Sequence, residues 1–279
     1  MKILFLSDTH IRVNTPEGRT GDIIEVQDKK WHAISKLCTF EDVDYVLQAG
    51  DLFDRPTPPL WLIYKAAEWI EHLGVHEFIT IPGQHDMYMR NTDMSKTAMG
   101  FLQKFDVLSI YNAPLEIDDK SIHIVHDMIG MKPLFPGHKI TKAHNYLATY
   151  KEYDIILCGD YHYPFFVKDK QGRVILNTGC LLRLTRNERD LSREIHVKIY
   201  DTVSDVWTTH VIPSEPAETA FVAKSEVVIE RDTTLDDYIE QLKQSEKIGL
   251  NYLDNLHEYY AEYDVTAPCK ELIEEVLNV

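Results

Sequence analysis

Residues 1–10 read MKILFLSDTH. An unbroken apolar run that stops at Asp-x-His is the pattern of a strand buried on both faces, with its polar residues delivered at the carboxyl end. The arrangement returns along the chain. YVLQA at 45–49 is followed by Gly50-Asp51, and HEFITI at 76–81 by Gly83-Gln84-His85-Asp86. Residues 121–125 are followed by His126, and DIILC at 154–158 by Gly159-Asp160-Tyr161-His162. Segments of helical periodicity separate the early strands: 27–38, with Trp31, Ile34 and Leu37 on one face, and 60–73, with Gly74 at its C-terminal cap. A third helix is expected at 95–105. The order βαβαβα predicts parallel strands with helices packed on the faces of the sheet.

The second half is different. Residues 107–110, 114–117, 163–168, 174–177, 193–200 and 205–212 read as short strands, partly antiparallel, with one helix at 141–150. Both halves are satisfied by an α/β fold of two packed mixed β-sheets flanked by helices, a four-layer sandwich. PSEPAETA at 213–220 reads as a linker. A strand at 221–229 and helices near 234–247, 250–260 and 268–278 would follow it. The expected division is a main domain over 1–213 and a small acidic C-terminal appendage over 214–279.

The chain has 279 residues and a net charge of −16. Residues 214–279 carry 16 acids against 5 bases, so −11 of that charge lies there. No stretch approaches the roughly 18 apolar residues of a membrane span. The opening apolar run is too short for a signal peptide, which points to the cytoplasm. Four scattered cysteines without regular spacing read as free thiols. A strongly acidic chain is not an obvious nucleic-acid binder.

In open α/β sheets, ligands bind outside the carboxyl ends of the strands. Five clusters arriving at one edge therefore converge on one crevice. Each alone has a plain structural reading, such as a capped turn for Asp-x-His or a turn signal for Gly-Asp. Their conjunction points to chemistry. Asp and His donors with one amide and no cysteine form a mixed nitrogen and oxygen set that suits manganese, iron or zinc. About seven such donors exceed the needs of one ion; two ions roughly 3.5–4 Å apart that share a carboxylate fit better. Such a pair acidifies water and clamps the oxygens of an in-line displacement at phosphorus.

Asp8-x-His10, Gly50-Asp51-x-x-Asp54, Gly83-x-His85-Asp86, His126 and Gly159-x-x-His162, in that order, resemble the five motifs of calcineurin-like metallophosphoesterases. Within that superfamily MKILFLSDTHI, GDLFDRPTPP (50–59) and NTGCLLRLTRNE (177–188) look most like SbcD-type DNA repair exonucleases. The resemblance implies a two-metal phosphodiester hydrolase. One ion would sit on Asp8, His10, Asp51 and His162. The other would sit on Asp51, Gln84, His126 and Asp160, with Asp51 bridging. His85 would be the acid that meets the leaving oxygen, Asp86 either orients it or caps a turn, and Arg183 and Arg186 would approach phosphate oxygens. DNA, an SbcC-like coiled-coil ATPase and a second copy of the chain are the implied partners, with 234–278 as the element that would hold the ATPase.

Two positions depart from the family pattern. Gln84 stands where Asn is usual, and Asp160 stands for the first His of G-H-x-H. Both fall on the second ion. An anionic oxygen in place of a nitrogen favours manganese foremost, or magnesium, over zinc there. Two other readings stay open: a small-substrate phosphodiesterase or phosphatase, and a metal-binding scaffold of low activity.

Overall fold

The computed structural model describes residues 1–221, apart from positions 112 and 136. The chain divides into two compact units, Met1–Val222 and Ala223–Val279. The three helices expected beyond 233, and nearly all of the strand expected at 221–229, lie outside the described residues.

The first half alternates as its sequence predicts: β1 (Lys2–Leu6), α1 (Ile23–Glu41), β2 (Tyr45–Gln48), α2 (Leu60–Glu71), β3 (Glu77–Thr80), α3 (Ala98–Lys104) and β4 (Ser109–Ile110). The second half runs β5 (Leu115–Ile117), β6 (Lys120–His126), β7 (Ile129–Gly130), β8 (Thr141–Lys142), α4 (Ala143–Thr149), β9 (Ile155–Gly159), β10 (Phe165–Lys168) and β11 (Val174–Asn177). It continues with α5 (Glu188–Ser192), β12 (His196–Asp201), β13 (Val206–Val211) and α6 (Ala217–Ala220). One large sheet has the order β13-β12-β1-β2-β3-β4, a second has β10-β11-β9-β6-β5, and β7 and β8 pair as a small parallel sheet. β1 to β4 are parallel, as are β6, β9 and β11, while β12, β13, β5 and β10 add antiparallel edges.

Strand alternation sorts the core into layers. Leu4, Leu6, Val46 and Phe78 pack against Trp31, Ile34, Leu62, Trp69 and Met99 of α1 to α3. Ile3, Phe5, Leu47 and Ile79 face the other way, onto Ile122, Ile124, Leu157 and Leu176 of the second sheet. The outer face of that sheet, with Ile156, Cys158 and Ile175, is covered by Ala143 and Leu147 of α4. Helix, sheet, sheet and helix make four layers. Trp31 and Trp69 stack with centroids 6.0 Å apart, tying α1 to α2, and each fully buried large apolar side chain contributes about 1.5–3 kcal/mol.

Some boundaries move. α1 begins at Ile23 rather than 27, because Asp22 caps it by accepting the Ile24 amide at 2.7 Å. α3 begins only at Ala98, where the Thr97 side chain accepts the Gly100 amide. The Pro-containing stretch at 213–220 is not a free linker. Lys30 Nζ donates to Ser214 Oγ at 2.6 Å, Arg19 pairs with Glu215, and Thr20 N donates to Ala220 O at 2.9 Å. Residues 214–221 are thus strapped onto α1 and the loop that precedes it, and belong to the first unit.

Candidate metal centre

Parallel pairing sends β1, β2, β3, β6 and β9 to the same edge, so their terminal residues meet there. The two sheets are sewn together at that edge. Ser7 Oγ donates to Cys158 O at 3.2 Å, His126 Nδ1 to Ala49 O at 2.7 Å, and the Asp160 amide to Asp8 Oδ1 at 2.9 Å. Glycine is required where these loops cross: a Cβ on Gly50 would lie 2.6 Å from the His126 ring, and one on Gly83 would collide with Asp51. Five of the expected ligands hold left-handed backbone, Asp8 (φ 45°), His10 (46°), Asp51 (51°), Asp160 (76°) and His162 (57°). Non-glycine residues adopt it at a cost of about 1–3 kcal/mol each, and such strain gathers at functional sites.

The structure brings all seven expected ligands together. His10 Nε2 lies 3.0 Å from His162 Nε2 and 3.8 Å from Asp51 Oδ2. His162 Nε2 lies 3.8 Å from Asp8 Oδ1. On the other side, His126 Nε2 lies 3.3 Å from Asp51 Oδ2 and 4.0 Å from Asp160 Oδ1. Gln84 Nε2 donates to Asp160 Oδ1 at 2.6 Å. The two departures from the family pattern therefore touch each other: the longer amide stem reaches the carboxylate that replaces an imidazole.

These residues fit a cation. Asp8, His10, Asp51 and His162 each place a donor atom within 4.8 Å of the others. Asp8 Oδ2, Asp51 Oδ2 and His126 Nε2 are buried without a hydrogen-bond partner. An abandoned buried polar atom costs about 1–3 kcal/mol, more when charged, and cations would satisfy these. The electrostatics agree. Burial alone would lower the pKa of His126, but the Asp51 and Asp8 carboxylates push it up to about 10. The cluster thus favours positive charge at its centre. Burial and the neighbouring His162 hold His10 well below the usual imidazole range. Burial raises Asp8, whereas for Asp51 the attraction of His126 and His10 outweighs burial and lowers it.

His85 stands on the exposed side of this cluster. Its amide donates to Asp51 Oδ1 at 2.8 Å and its Nδ1 bonds Asp54 O at 3.0 Å. Asp54, present in the second motif but without an assigned role, thus orients His85. Its carboxylate also pairs with Arg12 at 2.9 Å.

Three expectations are corrected. Asp86 does not orient His85. Its carboxylate is 1 % exposed and accepts the amides of Leu52 (3.1 Å), Phe53 (2.9 Å) and Gly83 (3.0 Å). Burial pushes its pKa up to about 7 against those three donors. Arg183 is not available to phosphate: its guanidinium is spent on the carbonyls of Asp190, Glu215 and Arg193. Arg186 bonds Gly18 O at 3.1 Å and lies over the Phe221 ring, so it too serves the strap. A donor absent from the expected set also arrives. Cys180 Sγ lies within 4.8 Å of ring nitrogens of His10 and His162, and nothing in the spacing of the cysteines signals it.

Residues 1–164 match the calcineurin-like phosphoesterase family. With the ligand cluster at the converging strand ends, the chain belongs to that family and is a hydrolase acting on phosphoester bonds. No curated protein matches the sequence. Among solved structures, zinc-complexed Vps29 from Entamoeba histolytica is 14 % identical, covering 76 % of this chain and 98 % of that one with a TM-score of 0.38. A conserved uncharacterised protein from Streptococcus pneumoniae is 15 % identical, covering 75 % and 97 % with a TM-score of 0.34. The nuclease MPE from Pseudomonas putida is 16 % identical, covering 63 % and 73 % with a TM-score of 0.36. Among the described residues, no helix is long and apolar enough to cross a membrane.

Proposed function

We propose that the chain is a nuclease subunit of the SbcD type, which hydrolyses DNA phosphodiester bonds with two divalent cations, manganese foremost. The observation that carries the reading is the opening of the cluster. Asp8, His10 and Asp51 are buried, whereas Gln84 and His85 are exposed on the same site. A phosphodiester in a long strand can reach such a site without threading into a closed pocket. Asp8, His10, Asp51 and His162 would hold one cation, and Asp51, Gln84, His126 and Asp160 the other. Bound there, the cations supply charge to the phosphoryl oxygens and make water acidic enough to attack.

The protein's own groups supply the rest. Asp51 offers one oxygen to the His85 amide and the other to the cluster, so it fixes His85 relative to the reacting phosphate. The Nδ1–H of His85 donates to Asp54 O, which leaves Nε2 to carry the proton delivered to the leaving oxygen. The resemblance also implies an SbcC-like ATPase and a second copy as partners. Leu60, Trp61, Tyr64, Phe101 and Phe105 on α2, α3 and the residue after it expose an apolar face of the kind a partner covers.

A second reading is a phosphodiesterase for small substrates. It is favoured by the acidic chain and by the engagement of Arg183 and Arg186 away from phosphate. The test incubates the purified chain and manganese with linear duplex DNA, single-stranded DNA and a small aryl phosphodiester. Asp51→Asn is the control. DNA degradation that the control abolishes supports the nuclease. Cleavage of the small ester alone supports the second reading.

A further inference from the structure

Cys180 occupies the turn after the last motif, and the reading above gives it no task. It is 1 % exposed. Its amide donates to His162 O at 3.1 Å, it bridges Ser7 in parallel register, and the next amide, of Leu181, donates to Asp8 O at 3.1 Å. These backbone bonds seat it between the loop of Asp8 and His10 and the loop of His162. Its Sγ shares a 4.8 Å group with His10 and His162, the two imidazoles that also complete the group with Asp8 and Asp51. One oxygen of that cluster, Asp8 Oδ2, is buried and unpartnered, on a residue 0 % exposed. The other described thiols differ. Cys158 donates to Leu176 O at 3.2 Å, and Cys38 is packed in the core beside Trp31 and Ile34.

We propose that Cys180 supplies a sulfur donor to the cation position formed by Asp8, His10 and His162. This rests on the reading of the cluster as a metal centre. The step balances simply: the S–H bond breaks, a sulfur–metal bond forms, and one proton leaves to solvent for each ion bound. A thiolate is softer than carboxylate or imidazole, so it biases this position toward zinc or iron(II). The position built from Gln84, His126 and Asp160 stays oxygen-rich and hard. The two positions then prefer different ions.

The test uses the full chain, stripped by a chelator and titrated with cobalt(II). The expected result is a thiolate-to-cobalt charge-transfer band in the near ultraviolet beside the visible d–d bands. Cys180→Ser should lose the charge-transfer band and keep the d–d bands, while Cys269→Ser should keep both. Zinc-loaded wild type and Cys269→Ser should each show a sulfur shell at about 2.3 Å by X-ray absorption. That measurement decides the matter should Cys180→Ser fail to fold. Visible bands without a charge-transfer band in wild type, a band that survives in Cys180→Ser, or zinc with no sulfur shell overturns the proposal and leaves the metal centre standing. No cobalt binding at all overturns both.

Discussion

Asp86→Ala removes a carboxylate that holds two motif loops together. Its oxygens take the amides of Leu52, Phe53 and Gly83, all buried, at 3.1, 2.9 and 3.0 Å. Those bonds tie the turn that carries Asp51 to the turn that carries Gln84 and His85. Each buried donor left unpaired costs about 1–3 kcal/mol. With partial relaxation, the substitution should cost roughly 3–6 kcal/mol, a large share of the ~5–15 kcal/mol stability of an ordinary domain. Asp86→Asn keeps one acceptor oxygen and turns an NH2 donor toward other donors, so it should cost roughly half as much. Urea unfolding of the metal-free protein measures both from the midpoint and the slope. Where Asp86→Ala still folds, cation affinity should fall as well, because Asp51 and His85 have lost their common anchor. Stability within about 1 kcal/mol of wild type would refute the clamp. So would lost turnover with stability and cation binding intact, which would return Asp86 to a role on His85.

His85→Ala should keep cation binding and lower turnover by roughly 10²–10⁴-fold; loss of binding in a metal titration would make His85 a ligand instead. Arg183→Met should lower stability, since three carbonyls lose their donor, and leave KM for a small phosphodiester unchanged; a raised KM at unchanged stability would restore a phosphate contact. Lys30 is buried, and burial, with Arg183, Arg193 and Arg19 nearby, lowers its pKa from 10.5 to about 7. The unfolded chain therefore binds more protons than the native one between those two values, so wild-type stability gains a term that rises across about pH 7 to 10. Lys30→Met should flatten that rise and be the more stable form at pH 7 and below, as read by Tm against pH; an unchanged slope would show that Lys30 titrates as in solvent.

The legible part of the fold was local. Leu4 and Leu6 against Ile3 and Phe5 encode the two faces of β1, and Trp31, Ile34, Leu62 and Trp69 encode the faces of α1 and α2 that cover it. The start of α1 was hidden because the periodicity is weak before Gln27, and the Asp22 cap that extends it is visible only as a hydrogen bond. The helical turn at Ala217–Ala220 was hidden because its stretch has the composition of a linker. What holds it in place is contact with Arg19, Lys30 and Thr20, nearly two hundred residues earlier.

The convergence of the seven expected ligands was legible because a parallel strand must release its last polar residues at one edge, so chain order places Asp8, Asp51, His126 and His162 on the same side. The fates of Asp86, Arg183, Arg186 and Cys180 were not. Asp86 neighbours His85 in the chain yet binds Leu52 and Phe53, and Arg183 turns to Glu215 and Arg193. Cys180 meets His10 only because two sheets close on each other. A strand's direction is a property of its own backbone, and the sequence by itself determined it. The choice of partner by a buried acid, guanidinium or thiol depends on which distant donors and acceptors lie within about 3 Å, and only the tertiary structure decided that.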